Sequence, residues 1–190
     1  MVAILVTAPQ AEPVTRDEAK AHARIDGNAE DGRVDALITA ARMEVENRTG
    51  RALVTQGWRI VRDGVPRGGV IRLAPAPIQS VDAVTVYAQD GTPTVVSSDD
   101  YEVDSASAPG RLKFAAGRFW GARAMNGIEV DVTVGYGDPE DVPAPLKQAV
   151  LLLIAYWFEE REAARVGAVT EPVTSGVAAL LAPYRMPRLA

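Results

Sequence analysis

Ile128-Glu-Val-Asp-Val-Thr-Val134 is followed, after Gly135-Tyr-Gly-Asp-Pro-Glu-Asp-Val142, by Pro143-Ala-Pro-Leu-Lys-Gln-Ala-Val-Leu-Leu-Leu-Ile-Ala-Tyr-Trp-Phe158. The first segment alternates: Ile128, Val130, Val132 and Val134 fall on one face, Glu129, Asp131 and Thr133 on the other. That period of two describes a strand with one buried face. In the second segment Leu146, Val150, Leu153, Ile154, Trp157 and Phe158 recur at helical spacing, and Pro143 and Pro145 sit where a first turn tolerates proline. The change of period predicts an α+β chain in which a sheet hands over to a helix. From Ala149 to Phe158 the helix is apolar nearly all round. It is therefore expected to be buried on several sides, as a central helix or beneath neighbouring subunits. It should run to about Glu162, with a break at Val166-Gly167.

Upstream, residues 15–50 read as a helical hairpin. Thr15-Arg-Asp-Glu18 is a capping box, in which the threonine hydroxyl takes an orphan amide and the glutamate reaches back. A short helix follows to about Ile25, and Asp26-Gly27-Asn28 breaks it. A second helix spans about Glu30 to Arg48. Its apolar positions are Val34, Leu37, Ile38, Ala41 and Val45, its polar face carries Arg33, Arg42, Glu44 and Glu46, and Thr49-Gly50 ends it. Residues 53–135 read as β structure. The strands are expected around Trp58-Arg-Ile60, Val70 to Leu73, Val81 to Tyr87, Thr94-Val-Val96, Tyr101-Glu-Val103, Arg111 to Phe114 and Ile128 to Val134. Gly, Pro and Asp-Gly turns bound them, which predicts a small antiparallel sheet or open barrel. In the tail, Pro172 and Gly176 bracket an expected loop, and Val177 to Leu181 make one helical turn.

Composition narrows the chemistry. The chain has 190 residues, a net charge of −5, 47% apolar residues, no Cys and one His. Disulfides, thiolate metal sites and a cysteine nucleophile are excluded. A lone His22 excludes a histidine-pair metal centre, and no Gly-x-Ser-x-Gly elbow supplies it with a nucleophile. Asp99-Asp100, with Glu102 and Asp104, lacks the spacing of an EF-hand and reads as an acidic turn. Gly135-Tyr-Gly137 lacks the third glycine of a dinucleotide fingerprint and the lysine of a P-loop, so it reads as a strand-to-helix connection. No cofactor or metal is expected. The longest apolar run is about half of what a bilayer requires, so no membrane partner is expected either. The N-terminal Met1-Val-Ala-Ile-Leu-Val-Thr-Ala8 is apolar but lacks the basic start of a signal peptide.

Charge is unevenly spread. Asp82 to Asp104 holds six acids and no base, whereas Arg48 to Arg72 holds six Arg and one acid, Asp63. Such a dipolar surface suits a partner or a second copy, and Asp99, Asp100, Arg62 and Arg67 are its candidate contacts. Trp120, beside Phe119 and flanked by Gly117 and Gly121, is a candidate interface anchor. The bland reading of the charged stretches is solvated faces and turns. The tail Leu180-Leu-Ala-Pro-Tyr-Arg-Met-Pro-Arg-Leu189 is too apolar for a free terminus, so it docks on a partner or packs back on its own domain.

The ordered stretches Glu46-Asn-Arg-Thr-Gly-Arg-Ala-Leu53, Leu73-Ala-Pro-Ala-Pro-Ile-Gln-Ser-Val81, Tyr101 to Asp104, Val132 to Gly137, Val142 to Ala149, Trp157 to Glu162 and Leu180 to Arg185 cover nearly the whole chain. Their combination resembles the head–tail connector, or adaptor, proteins of long-tailed phages, prophages and gene transfer agents. The resemblance implies a mainly helical core, made of the hairpin 15–50 and a long helix 143–163. It also implies an inserted small antiparallel β region (53–135) and an extended C-terminal arm. Residues 1–170 would form the connector domain and 171–190 the docking arm. The resemblance further implies a dodecameric ring of neighbouring copies beneath the portal of a virion or phage-like particle. DNA would pass through this ring without sequence recognition, and a stopper or tail-terminator protein would lie beyond it. No enzymatic activity is implied. Leu180, Leu181, Tyr184, Arg185 and Arg188 would engage the portal protein, and the rest of the chain is expected to fold without residues 177–190. The alternative role is a DNA-binding packaging subunit, which needs a basic face, and only residues 48–72 offer one.

Overall fold

A computed structural model describes residues 2–66, 68–115, 121–160 and 171–186, without the side chains of 171–174. Its strands are β1 (Val2–Thr7), β2 (Gln56–Arg62), β3 (Val70–Leu73), β4 (Ile78–Tyr87), β5 (Pro93–Val95), β6 (Tyr101–Asp104), β7 (Gly110–Phe114) and β8 (Ile128–Val134). Its helices are α1 (Arg16–Ala23), α2 (Asp31–Thr49), α3 (Ala144–Glu159) and α4 (Glu171–Leu181).

 The long helix α3, Ala144–Glu159, is 16 residues long. The chain divides into two compact units, a β unit of residues 1–10 and 55–136 and a helical unit of residues 11–54 and 137–190. The observed α+β class matches the expected one. The contacts do not divide the chain at residue 170: α4 groups with the helical unit.

In the β unit, the expected single sheet or barrel is instead two antiparallel sheets, ordered β1-β2-β8-β4-β5 and β3-β7-β6. β8 is the centre of the larger sheet. Ile128, Val130, Val132 and Val134 are all buried, and each contributes about 1.5–3 kcal/mol by leaving water. Ile60 on β2 and Val84 and Val86 on β4 extend this layer, while Ile71, Leu73, Leu112 and Phe114 bury the inner face of the smaller sheet. Gly110 opens β7 because a Cβ there would stand 2.5 Å from Ile78 Cγ1. Val2–Thr7 was read only as lacking a signal sequence, yet it forms β1, the edge strand against β2.

In the helical unit, the capping box forms as expected. Glu18 N–H donates to Thr15 Oγ1 (3.2 Å), and Thr15 N–H donates to Glu18 Oε2 (2.7 Å). The Thr15 N–H, and with it the Thr15 hydroxyl at 2.9 Å, donates to the Glu18 carboxylate and holds it below its ordinary range. α1 ends at Ala23, two residues before the expected Ile25, because Arg24 turns left-handed and returns its N–H to the Lys20 carbonyl. α2 buries Val34, Ile38, Ala41 and Val45, and packs on α3 through its helical stripe. Arg42, expected on the polar face, is instead buried. Its Nε donates to Glu12 Oε2 and its Nη1 to Glu46 Oε2, both at 2.8 Å, and Thr39 Oγ1 holds the other Glu12 oxygen at 2.9 Å. A buried guanidinium needs such partners. In α3 the inward side chains Leu146, Ala149, Val150, Leu153 and Ile154 are buried, and Leu151, Leu152, Tyr156, Trp157 and Phe158 are half-buried. Arg33 of α2 reaches the last carbonyls of α3, at 3.4 Å from Trp157 O and 3.3 Å from Phe158 O, and lies over the Phe158 ring at 4.6 Å. A cation there complements the negative end of the helix.

The tail departs from its expected loop-and-turn form. Residues 171–181 are one helix, which packs on α3. Pro172 lies in the first turn, where its missing N–H costs nothing, and a mid-helix Gly176 costs only about 1 kcal/mol. Val177 and Leu181, four residues apart, are fully buried and outweigh that cost. The expectation that the domain folds without residues 177–190 is therefore revised, because these residues supply part of its core. No described helix is long and apolar enough to cross a membrane. α3 ends at Glu159, with Glu160 as its cap and the Glu160 N–H on the Tyr156 carbonyl, about three residues before the expected Glu162, and the expected break at Val166-Gly167 lies outside the described residues.

Candidate docking surfaces

The C-terminal segment is built onto the end of α2. After α4, a one-turn 3-10 helix spans Ala182–Tyr184. Met186 N–H then donates to the Thr49 carbonyl (2.9 Å), and Arg51 Nε donates to the Tyr184 carbonyl (2.7 Å). Gly50 takes a φ of 73°, and a Cβ there would lie 2.9 Å from Met186 Cε. The turn Thr49-Gly50-Arg51, read in the sequence only as a helix stop, is thus also the seat of the tail.

The five tail residues singled out from the sequence separate into different environments. Leu181 is fully buried in its own helical unit. Leu180 and Tyr184 are half-buried, and Arg185 is exposed. Arg188 lies outside the described residues. An apolar side chain already inside its own core is unavailable to a partner, so the outward set here is Leu180, Tyr184 and Arg185, with the exposed Ala182 and Pro183 beside them.

The second candidate set does not form one cluster. Trp120 and Arg67 lie outside the described residues. Arg62 is half-buried at the end of β2, in the larger sheet. Asp99 and Asp100 lie in a one-turn 3-10 helix before β6, capped by the Ser97 side chain. Asp99 is exposed and Asp100 half-buried. Arg62 forms no ion pair with either.

The arginine run of residues 48–72 disperses in three dimensions. Arg48 pairs with Glu44 (2.6 Å), Arg51 is spent on Tyr184, and Arg59 clasps Asp131 through two bonds of 2.7 and 3.0 Å. Arg59 also stands 3.5 Å from Glu129, whose other contact is the Tyr87 hydroxyl at 2.9 Å. That hydrogen bond to Glu129, together with burial, raises the Tyr87 pKa, and Asp131 raises that of Arg59. Arg123 covers the Tyr87 ring at 4.8 Å. This polar strip across β2, β8 and β4 was missed in the sequence, where only the alternation of Glu129 and Asp131 hinted at it. Three of the run's six arginines are thus committed to carboxylates or a carbonyl, which leaves fewer free cations for phosphate binding.

A groove of about 550 Å³ in the helical unit is lined by, among others, Glu12, Thr15, Arg16, Glu18, Asp35 and Lys147. Three of its carboxylates serve the fold: Glu12 holds Arg42, Glu18 caps α1, and Asp35 takes the Arg16 guanidinium. His22 is exposed in the last turn of α1. Among the described residues no group of three acids or histidines could hold a metal ion.

Comparison with known proteins gives the chain a family. No curated protein sequence matches it. Three solved structures are similar over 100% of this chain and 98% of theirs. They are the neck of an empty gene transfer agent particle computed with C6 symmetry (29% identity, TM-score 0.80), the virion of a native gene transfer agent particle (28%, 0.84), and the neck of the native particle computed with C12 symmetry (29%, 0.77). Residues 13–176, which run from the segment before α1 into α4, match the profile of the head completion proteins, and the chain belongs to that family.

Proposed function

We propose that this chain is a structural connector in the neck of a phage-like particle, forming a ring beneath the portal and joining the DNA-filled head to the tail. It works as a scaffold and not as an enzyme. The observation that carries this reading is the full-length likeness to chains of gene transfer agent necks, within the head completion family. A twelve-copy ring follows by analogy with the neck computed with C12 symmetry. In this arrangement the DNA passes through the ring without sequence recognition, and a stopper or tail-terminator protein closes its far side.

The C-terminal segment is the proposed portal contact. Leu180 and Tyr184 offer apolar area, and Arg185 and Arg188 offer forked donors to carboxylates or carbonyls. Thr49, Gly50 and Arg51 hold the segment in place through Met186 and Tyr184. The chain would be in the bacterial cytoplasm during assembly and in the head–tail neck of the finished particle.

The experiment is to produce particles without this chain. DNA-filled heads lacking tails are the expected product, and tailed, transfer-competent particles would refute the reading. For the contact itself, the double variant Tyr184→Ala, Arg185→Glu should keep its circular dichroism spectrum and lose retention on immobilised portal. Undiminished retention would move the contact to another surface.

A further inference from the structure

The geometry points to β1 as an interchain strand: in the ring its open edge pairs with the open edge of β6 in the neighbouring copy. This rests on the ring reading above and names the contact that would close it.

β1 is unusual for an edge strand. Its side chains are exposed on both faces, including Val2 (57%), Ile4 (48%), Leu5 (46%) and Val6 (59%). Val2 to Val6 contains no charge and no proline. Folded proteins normally protect such an edge with lysine, proline or a covering element, because it invites a further strand. The opposite edge of the same sheet is protected. β5 has only three residues, and Pro93 offers no N–H.

The hydrogen-bond pattern fixes which backbone groups of β1 point outward. Tyr87 N–H donates to Gly127 O at 2.9 Å, so Thr85 and Glu129 exchange bonds between β4 and β8. Alternation then turns Ile128, Val130 and Val132 toward β2, and Arg59 and Val61 of β2 toward β1. Val2 and Ile4 accordingly face β2, while the amides and carbonyls of Ala3 and Leu5 point away from the sheet.

Two edges of the smaller sheet could receive them. β3 presents Arg72, exposed and of the same sign as Arg62 on β2, the other arginine of that strand, Arg59, being neutralised by Asp131. β6 presents the opposite sign. Ala115 N–H donates to Asp100 O at 2.9 Å, so by the same alternation Tyr101 and Val103 carry the outward amides and carbonyls of β6. Val103 is 42% exposed, and the exposed Asp99 and Glu102 lie at this edge, while Asp104 is paired with Arg111. Two outward residues on each edge, apolar side chains on both, and Arg62 beside β1 against Asp99 and Glu102 beside β6 make the two strands complementary. The pairing joins two different patches, as a closed ring demands. β1 against β1 would instead generate a two-fold dimer.

The absence of cysteine from the chain permits a clean test. Particles are assembled with Leu5→Cys and Val103→Cys in one chain, then treated with a bismaleimide long enough to link neighbouring strands in either register. A ladder of covalent multimers is expected, and each single variant should remain monomeric. A ring visible in the particles without a ladder overturns the strand pairing and leaves the ring reading intact. Dimers from Leu5→Cys alone show β1 against β1 and also overturn it. Particles with no ring of this chain overturn the reading beneath and the pairing with it. As a second variant, Leu5→Pro removes an outward amide and no bond to β2. It should keep the wild-type circular dichroism spectrum and be largely lost from particles, and wild-type incorporation would overturn the pairing.

Discussion

Replacing Leu181 by Ala separates the two roles that the tail combines. Leu181 has no exposed surface, and it lies on the face of α4 that packs on α3. A buried Leu→Ala change costs about 2–5 kcal/mol, part from lost transfer and part from the cavity left behind, and about 3 kcal/mol is taken here. If the helical unit melts by itself, at about 100 residues, each kcal/mol lowers Tm by about 4–8 °C, which gives a drop of about 12–24 °C. If both units melt together, the sensitivity is about half as great and the drop is about 6–12 °C. Thermal melting followed by far-UV circular dichroism measures the drop and separates the two cases. Arg185→Ala, at an exposed position of the same tail, should move Tm by no more than about 2 °C. Leu181→Ala with the wild-type Tm would refute the assignment of Leu181 to the core and return it to the portal contact. Deletion of residues 177–190 should be at least as destabilising as Leu181→Ala, since it removes Val177 as well.

Three other outcomes follow from the polar structure. Arg42→Ala leaves Glu12 and Glu46 facing an emptied, largely buried site and should cost about 3–5 kcal/mol in urea unfolding; a loss below about 1 kcal/mol would show that water replaces the guanidinium. Asp104 is held down to about pKa 2, first by the Ser107 hydroxyl and then by Arg111. Because its folded value lies below the unfolded one, its contribution is present above the ordinary aspartate range and is lost as the pH falls through about 2; an NMR titration should place its midpoint there, and Arg111→Ala should raise it. Finally, the protein should give no gel shift with duplex DNA at physiological salt, since three arginines of the run are already paired and the net charge is −5; a stable band with a steep salt dependence would support the packaging-subunit alternative.

Local chemistry explains which elements were legible. The capping box at Thr15 and Glu18, the alternation of β8 and the helical stripe of α3 are each complete within a few consecutive residues, so the sequence displays them. α4 was hidden by local signals pointing the other way. Pro172 and Gly176 both argue for a break, and only the packing of Val177 and Leu181 on α3 tips the balance. β1 was hidden for a different reason. An edge strand exposed on both faces needs no alternation, so periodicity cannot identify it. Arg42 looked like a solvent-facing residue of α2 because the carboxylate that accompanies it inside, Glu12, comes from outside that helix.

The charge runs carry the wider lesson for this fold. Linear clusters suggested a basic patch and an acidic patch, and the folding of the chain treats them differently. Arg48 and Arg51 fall in the helical unit while Arg59, Arg62 and Arg72 fall in the β unit, and three of the five are consumed by internal partners. The acidic run stays more open. Asp99 and Glu102 remain exposed, because β6 and the one-turn 3-10 helix that leads into it lie at one edge of one small sheet. A run of like charge therefore survives as a surface only where its residues share an element or an edge. That criterion disfavours DNA binding by residues 48–72, and it leaves the rim of β6 as the charged surface best placed to meet another copy of the chain.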